Sequence, residues 1–304
     1  MVTRHACGKV TWVDLEAPTF DELSEVMREF NIDPRVEEEI TTPTPYPLTL
    51  AASDCLYLIL HFPTTDPSGG TRDQEVDFIV GKDFLITARY EVIDSILTLH
   101  RVFEAEGLIG SSKHVRADTV LEQILQRLYG AIREEMERVA SNLDRIERDI
   151  FSGRERQTVR AISEVARVLL RFETVLARHE EPLDAFLAHA ASSDFFGKSF
   201  GDSAARIRAE HDHVAALVSS YRAVARELRI TNDSLLTSSQ NEVMKTLTMM
   251  AFILAPASVL AGLFGMNMPN IPLAQHPYGF WIVVCLFFAI SGGFYLVFKL
   301  KKWL

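Results

Sequence analysis

Seven residues between positions 241 and 262 fall at helical steps of three and four: Asn241, Met244, Thr248, Ala251, Ala255, Ser258 and Gly262. On an α-helix that spacing forms one stripe, and nearly every member is polar or small. Two chemistries use such a stripe. Small residues let another helix approach closely in a membrane; alternatively, small and polar side chains can line a water-filled path. Five residues beyond the stripe, after Gly265 and Met266, comes Asn267. A ring of neutral carboxamide oxygens attracts a dication without stripping its water, and Mg²⁺ gives up water reluctantly. Asn241 and Ser258 on the same face favour the path over simple packing.

The elements that must position these residues are apolar. Residues 246–264 carry no charged side chain, nor do 279–298, and the link 267–278 has no Asp, Glu, Lys or Arg. A helix of about 20 residues crosses a hydrocarbon core of about 30 Å. The expectation is therefore two spans joined by a short hairpin, the alternative being a buried hairpin in a soluble core. Lys245 precedes the first span; Lys299, Lys301 and Lys302 follow the second. Positive flanks mark the cytoplasmic side, which places both chain termini in the cytoplasm and the 267–278 link outside. Tyr278, Trp281 and Trp303 suit an interfacial aromatic belt. The expected location is the inner (plasma) membrane.

The chain has 304 residues and a net charge of −10. Four lysines and no acids lie from Val243 onward, so residues 1–242 carry 27 basic and 41 acidic side chains, a net of −14. That balance argues against nucleic acid as a partner and suits the handling of cations. Cys7, Cys55 and Cys285 lack metal-ligand spacing and read as free thiols. The first thirty residues have no cleavable signal pattern. No HExxH, P-loop or nucleophile elbow is present, so an enzyme is not expected. His211-Asp212-His213 points its two imidazoles to different helix faces and is not a zinc site.

Residues 1–115 read as a mixed α/β domain. Strands are expected at 9–15, 55–62, 74–80 and 83–88, with Gly81-Lys82 as a turn. A helix is expected at 19–30, capped by Thr19 with Glu22 as its capping-box partner. The Pro-rich stretches 41–47 and 63–70 read as loops. From 116 the chain becomes helical: 117–150, a break at Gly153, then 155–190 with Pro182 inside, a loop at 191–201, and a helix from 203 to about 264. Sixty residues of helix span about 90 Å. The fold class expected is α+β: an N-terminal αβα cytoplasmic domain (1–115), a long-helix coiled-coil funnel (116–243) and two transmembrane helices (244–304).

Gln240-Asn241-Glu242-Val243-Met244-Lys245, then Pro256, then Ala261-Gly262-Leu263-Phe264-Gly265-Met266-Asn267-Met268-Pro269, then Lys301-Lys302-Trp303-Leu304 resemble the CorA magnesium transporter family. The resemblance extends along the whole chain, less specifically through Thr11-Trp12-Val13-Asp14-Leu15. It implies a homopentamer in the lipid bilayer whose first spans line one pore. It further implies Gly265-Met266-Asn267 as selectivity filter, with Asn267 meeting the metal. Asn241 and Ser258 would be polar rings, and Met244, Leu247, Ala251 and Ala255 the hydrophobic constriction. Mg²⁺ is the implied cargo, with Co²⁺ or Ni²⁺ as further ions. The resemblance also implies Mg²⁺ as a brake between subunits, for which Asp202 and Asp212 facing Glu75, Asp77 or Asp83 of a neighbour are candidates. Ala255 is smaller than the family pattern, and the 268–278 loop lacks acids, leaving His276 as its titratable group. The poorly acidic loop is shared with the zinc-transporting branch, so a proton-linked Zn²⁺ transporter is the alternative. A non-conducting coiled-coil scaffold or sensor is the alternative of another class.

Overall fold

The computed structural model describes residues 1–65, 71–109, 116–193, 196, 200–266 and 276–301. They form two compact units, Met1–Arg229 and Ile230–Leu304.

The first unit is built on a six-stranded sheet of order β1-β2-β6-β5-β4-β3. Its strands are β1 (Val2–Cys7), β2 (Val10–Glu16), β3 (Leu48–Ala51), β4 (Leu56–Thr65), β5 (Thr71–Val80) and β6 (Phe84–Arg89). All neighbours pair antiparallel except β2 and β6, which are parallel. The near-continuous apolar run Leu56–Leu60 of β4 is buried on both sides, as a strand covered on both faces requires. On one face lie α1 (Phe20–Glu29) and α2 (Pro34–Glu39), whose Leu23, Val26, Met27 and Val36 pack on Val13, Leu15, Ile59, Ile79 and Ile86. On the other lie α3 (Asp94–Ile109), α4 (Ala117–Phe151) and α5 (Glu155–Ser192). The expected αβα layering is present.

Thr19 caps α1 through both bonds of a capping box: its hydroxyl accepts from the Glu22 N–H at 3.2 Å and its own N–H donates to Glu22 at 2.9 Å. Gly153 ends α4 with φ +81°, the left-handed position that glycine takes without a Cβ penalty. α5 continues through Pro182. Four elements lie where none is expected from the sequence: β1, β3, α2 and α3. The loop expected at 63–70 is corrected as well. β4 runs through Pro63 to Thr65, and residues 66–70 lie outside the described set. β3 pairs only as far as Ile59, so beyond it one side of β4 has no strand to receive a proline N–H, and proline is tolerated there.

Helix α6 (Phe200–Phe264) contributes to both units, and α7 (Gly279–Leu300) completes the second. Each contains an 18-residue window of high hydropathy, 2.1 and 2.3, of which only 6% is buried. A soluble core hairpin would bury most of such a window, so the soluble alternative fails on exposure. Phe252, Leu254, Val259, Phe280, Phe288 and Leu296 all present their side chains outward. Tyr278 and Trp281 stand exposed at one end of α7, and Lys299 and Lys301 at the other.

Candidate ion-conduction face

Backbone polarity is settled first in an apolar medium. α6 bonds its own backbone, and its hydroxyls turn inward to it as well. Thr246 donates to the Glu242 carbonyl at 2.9 Å and Thr248 to that of Met244 at 2.7 Å. Pro256 removes one N–H from this ladder. Ser291 of α7 donates not to its own helix but across to the Ile253 carbonyl of α6, at 3.1 Å.

The face of α6 turned to α7 consists of Met249, Ile253, Pro256, Ala257, Leu260 and Phe264, which are buried or half-buried. Phe252 adds ring contacts to Phe294 and Phe298 at its edge. The predicted stripe is displaced from this face by two residues, about 200° at 3.6 residues per turn. Asn241, Met244, Thr248, Ala251, Ala255, Ser258 and Gly262 are all exposed, as is Leu247. A Cβ added at Gly262 would meet nothing within 4 Å. The small residues therefore do not serve packing between the two apolar helices of one chain; they face away from it.

At the end of the stripe the Gly265 N–H closes the helix on the Ala261 carbonyl at 2.9 Å. The reason for glycine is close approach rather than a left-handed backbone. A Cβ at Gly265 would sit 2.9 Å from that same carbonyl oxygen, while the positive-φ glycines among the described residues are Gly8 and Gly153. Met266 is half-exposed, and Asn267 lies outside the described residues. His276 is engaged locally, its Nδ1 accepting the Tyr278 N–H at 3.2 Å beside an apolar cavity of about 500 Å³ between α6 and α7.

The acids expected to face a neighbouring subunit separate into two groups. Asp202, Asp212 and Asp83 are exposed. Asp212 is engaged by Arg208, which also holds Asp184 and Glu180. Glu75 and Asp77 are buried inside the first unit, so as placed they cannot reach another chain. His211 is buried and reaches the Leu176 carbonyl at 3.0 Å, while His213 is exposed, so the two imidazoles do not share a site. No cluster of three or more potential metal-binding side chains forms among the described residues.

One polar assembly escapes sequence reading. Asp14 accepts from Thr87 at 2.6 Å, from Arg89 at 3.0 Å and from His100 Nε2 at 2.8 Å. His100 Nδ1 lies 2.6 Å from His5 Nε2. Trp12 stacks on His100 and donates to Thr87. Burial would raise the Asp14 carboxyl, yet the His100 bond and the Arg89 charge hold it below the usual carboxylate range. The available signal was an Asp in an apolar strand, whose partners lie 73 or more positions away in sequence.

A two-helix apolar hairpin, an αβα unit and a long connecting helix that ends in Gly265-Met266 make a specific combination. The sequence profile of the CorA-like Mg²⁺ transporter proteins matches residues 8–301. The chain belongs to this family. The cobalt/magnesium transport protein CorA of Thermotoga maritima is 23% identical over 300 residues, covering 97% of this chain and 83% of the relative. The zinc transport protein ZntB of Pectobacterium atrosepticum is 31% identical over 83 residues, covering 27% of this chain and 25% of the relative. The solved CorA magnesium transporter of Methanocaldococcus jannaschii has the same fold. Its TM-score is 0.82 at 20% identity, over 97% of this chain and 92% of that one. The chain is thus a membrane protein of a metal-ion transporter family, CorA-like in fold over 97% of its length.

Proposed function

We propose that this chain assembles as a homopentamer and conducts Mg²⁺ inward through a path lined by the exposed stripe of α6. In this reading residues 1–115 and 116–243 are cytoplasmic, 244–304 span the inner membrane, and both termini face the cytoplasm. The observation that carries the reading is the direction of the stripe. Small and polar residues face away from α7 and lead to Gly265-Met266-Asn267, so copies of the chain can enclose them.

Asn267 meets the hydrated ion at the outer mouth; Ser258 and Asn241 replace water further in. Met244, Leu247, Ala251 and Ala255 form the dry stretch between them. No step needs an energy-coupling domain. An inward dication gains about 4.6 kcal/mol per 100 mV, at about 2.3 kcal/mol per charge. Internal Mg²⁺ closes the path by binding acids between subunits, with exposed Asp202, Asp212 and Asp83 as candidates. The buried Glu75 and Asp77 drop out of that set.

The test is divalent uptake into proteoliposomes under an inside-negative potential, comparing wild type with Asn267→Ala. Mg²⁺ entry that collapses in the variant is expected. Co²⁺ and Ni²⁺ entering alongside Mg²⁺ would extend the cargo. A second reading, Zn²⁺ as cargo with proton coupling, draws on the similarity to the ZntB protein and the missing acids in the 268–278 loop. It predicts Zn²⁺ flux that follows a proton gradient. Absence of flux for every ion would sink both and leave a tethered scaffold.

A further inference from the structure

The sheet face covered by α1 and α2 is apolar at its centre, but on β5 two acids, Glu75 and Asp77, are buried on it. Register places Asp77 between Ile59 of β4 and Ala88 of β6, and Glu75 beside His61. Glu75 is well served. It accepts the Thr44 N–H at 2.7 Å and the Thr44 hydroxyl at 3.3 Å, with His61 Nε2 at 3.5 Å. His61 Nε2 also meets the Thr44 carbonyl at 2.7 Å, so that nitrogen carries the hydrogen. Thr44 is thereby fastened at three atoms. Asp77 differs entirely. It is 0% exposed, and neither carboxyl oxygen has a hydrogen-bond partner. The Tyr57 hydroxyl on the same face has none either.

Buried polar atoms are nearly always bonded, and each exception requires a cause. An ionised Asp77 would be a buried charge whose polar neighbours are the Tyr57 hydroxyl and a second carboxylate, Glu75, with no Lys or Arg paired to either acid among the described residues. A metal ion does not resolve this. Among the described residues no three ligating side chains converge, and Mg²⁺, which gives up water reluctantly, would have to shed it beside a carboxyl buried from solvent. A proton needs no space and no third ligand. We infer that Glu75 and Asp77 form a proton-binding site that keeps one proton on Asp77, and that the 41–47 loop is its readout through Thr44.

Burial first, and the Glu75 charge second, hold the Asp77 carboxyl well above the usual carboxylate range. The other titratable groups facing the pair are Tyr57 and His61 from β4 and Tyr90 beyond β6. The Tyr90 hydroxyl donates to the Ile40 carbonyl at 2.9 Å. Burial pushes both tyrosines upward, so they stay neutral. As pH rises, the proton leaves Asp77 for solvent. The two carboxylates then repel, water is drawn to the pair, and the Thr44 fastening opens. This inference does not depend on what the protein transports.

The experiment uses the full chain in nanodiscs. Infrared spectra across pH follow the protonated-carboxyl band, and hydrogen exchange, corrected for intrinsic rate, follows the Thr44 amide. Wild type at pH 7 is expected to show a band that Asp77→Asn lacks. Thr44 protection should fall by up to about tenfold per pH unit while opening releases the Asp77 proton, and the slope should vanish in Asp77→Asn. Glu75→Gln removes the neighbouring charge, so the band should disappear at lower pH than in wild type. That variant decides the matter if Asp77→Asn does not fold. A wild-type spectrum without the band, a band that persists in Asp77→Asn, or an unmoved midpoint in Glu75→Gln would each overturn the site.

Discussion

The two units solve one problem in opposite ways. Each must leave no polar group stranded away from water. The N-terminal unit puts apolar side chains inside and then closes polar networks within them: Asp14 with Thr87, Arg89 and His100, and Glu75 with Thr44 and His61. The C-terminal unit leaves its apolar side chains outside, ties hydroxyls to its own backbone, and keeps a stripe of small polar residues facing away from its partner helix. The second unit leaves its apolar faces and its stripe exposed in the single chain, and under the proposed function lipid and further copies would cover them. The anomaly to look for therefore reverses between them, an unbonded polar atom in the first and an exposed polar row in the second.

The comparison breaks most sharply at Asp14. Among the described residues, Asp14→Ala leaves the buried Arg89 side chain with Glu16 and the Glu91 carbonyl. The N-terminal unit should lose about 3–5 kcal/mol, read by denaturant unfolding, whereas the helicity of α7 in detergent should not change. An undiminished midpoint would mean that the network is not structural.

Acid should also separate the units. His179 is buried, its Nε2 donating to the His61 carbonyl at 2.7 Å, and burial pulls it down to about 3. The unfolded chain takes a proton on this residue near 6.5, the folded one only near 3. Folding stability should thus fall as pH drops from about 6.5 towards 3, by an amount on the order of a few kcal/mol. Asp77 acts with the opposite sign, its contribution falling as pH rises. Unfolding of His179→Phe from pH 7 to 5 should show a flatter slope than wild type; an equal slope would remove His179 from the account.

Smaller changes sharpen the contrast. Thr19→Ala deletes one bond of the capping box and should cost the N-terminal unit about 1 kcal/mol in thermal unfolding. Ser291→Ala deletes the bond between α7 and α6. Single polar contacts between membrane helices average about 0.6 kcal/mol, so a loss of that size in detergent unfolding is expected. A cost several times larger would show that this bond is the main tie beside Pro256.

Much of this could be read from the sequence wherever one pattern controlled the outcome. The capping box at Thr19, the α4 periodicity, the stop at Gly153 and the run into Phe264 are local signals, and each element formed where its residues predicted. β1 escaped because Arg4 and His5 interrupt its alternation, and its place beside β2 and α3 is set by tertiary contact. The stripe itself could be read from spacing, but its direction could not, because that depends on which side of α6 receives α7. Glu75 and Asp77 were misplaced for an instructive reason. The family resemblance makes them candidates for a contact between subunits, and a strand whose acids alternate with apolar residues is ordinarily half-buried. Here both faces are covered, by α1 and α2 on one side and the longer helices on the other, so the acids of β5 are buried within the unit.

The parallel pairing of β2 with β6 has a consequence in time. Thr11 lies opposite Phe84, 73 positions later. Until those residues leave the ribosome, β1 and β2 are a two-stranded ribbon of marginal stability with an open edge. At about 5–20 residues per second of synthesis, that edge stands unpaired for about 4–15 s. The nascent chain is most vulnerable to misassembly in this interval, well before either apolar helix has been made.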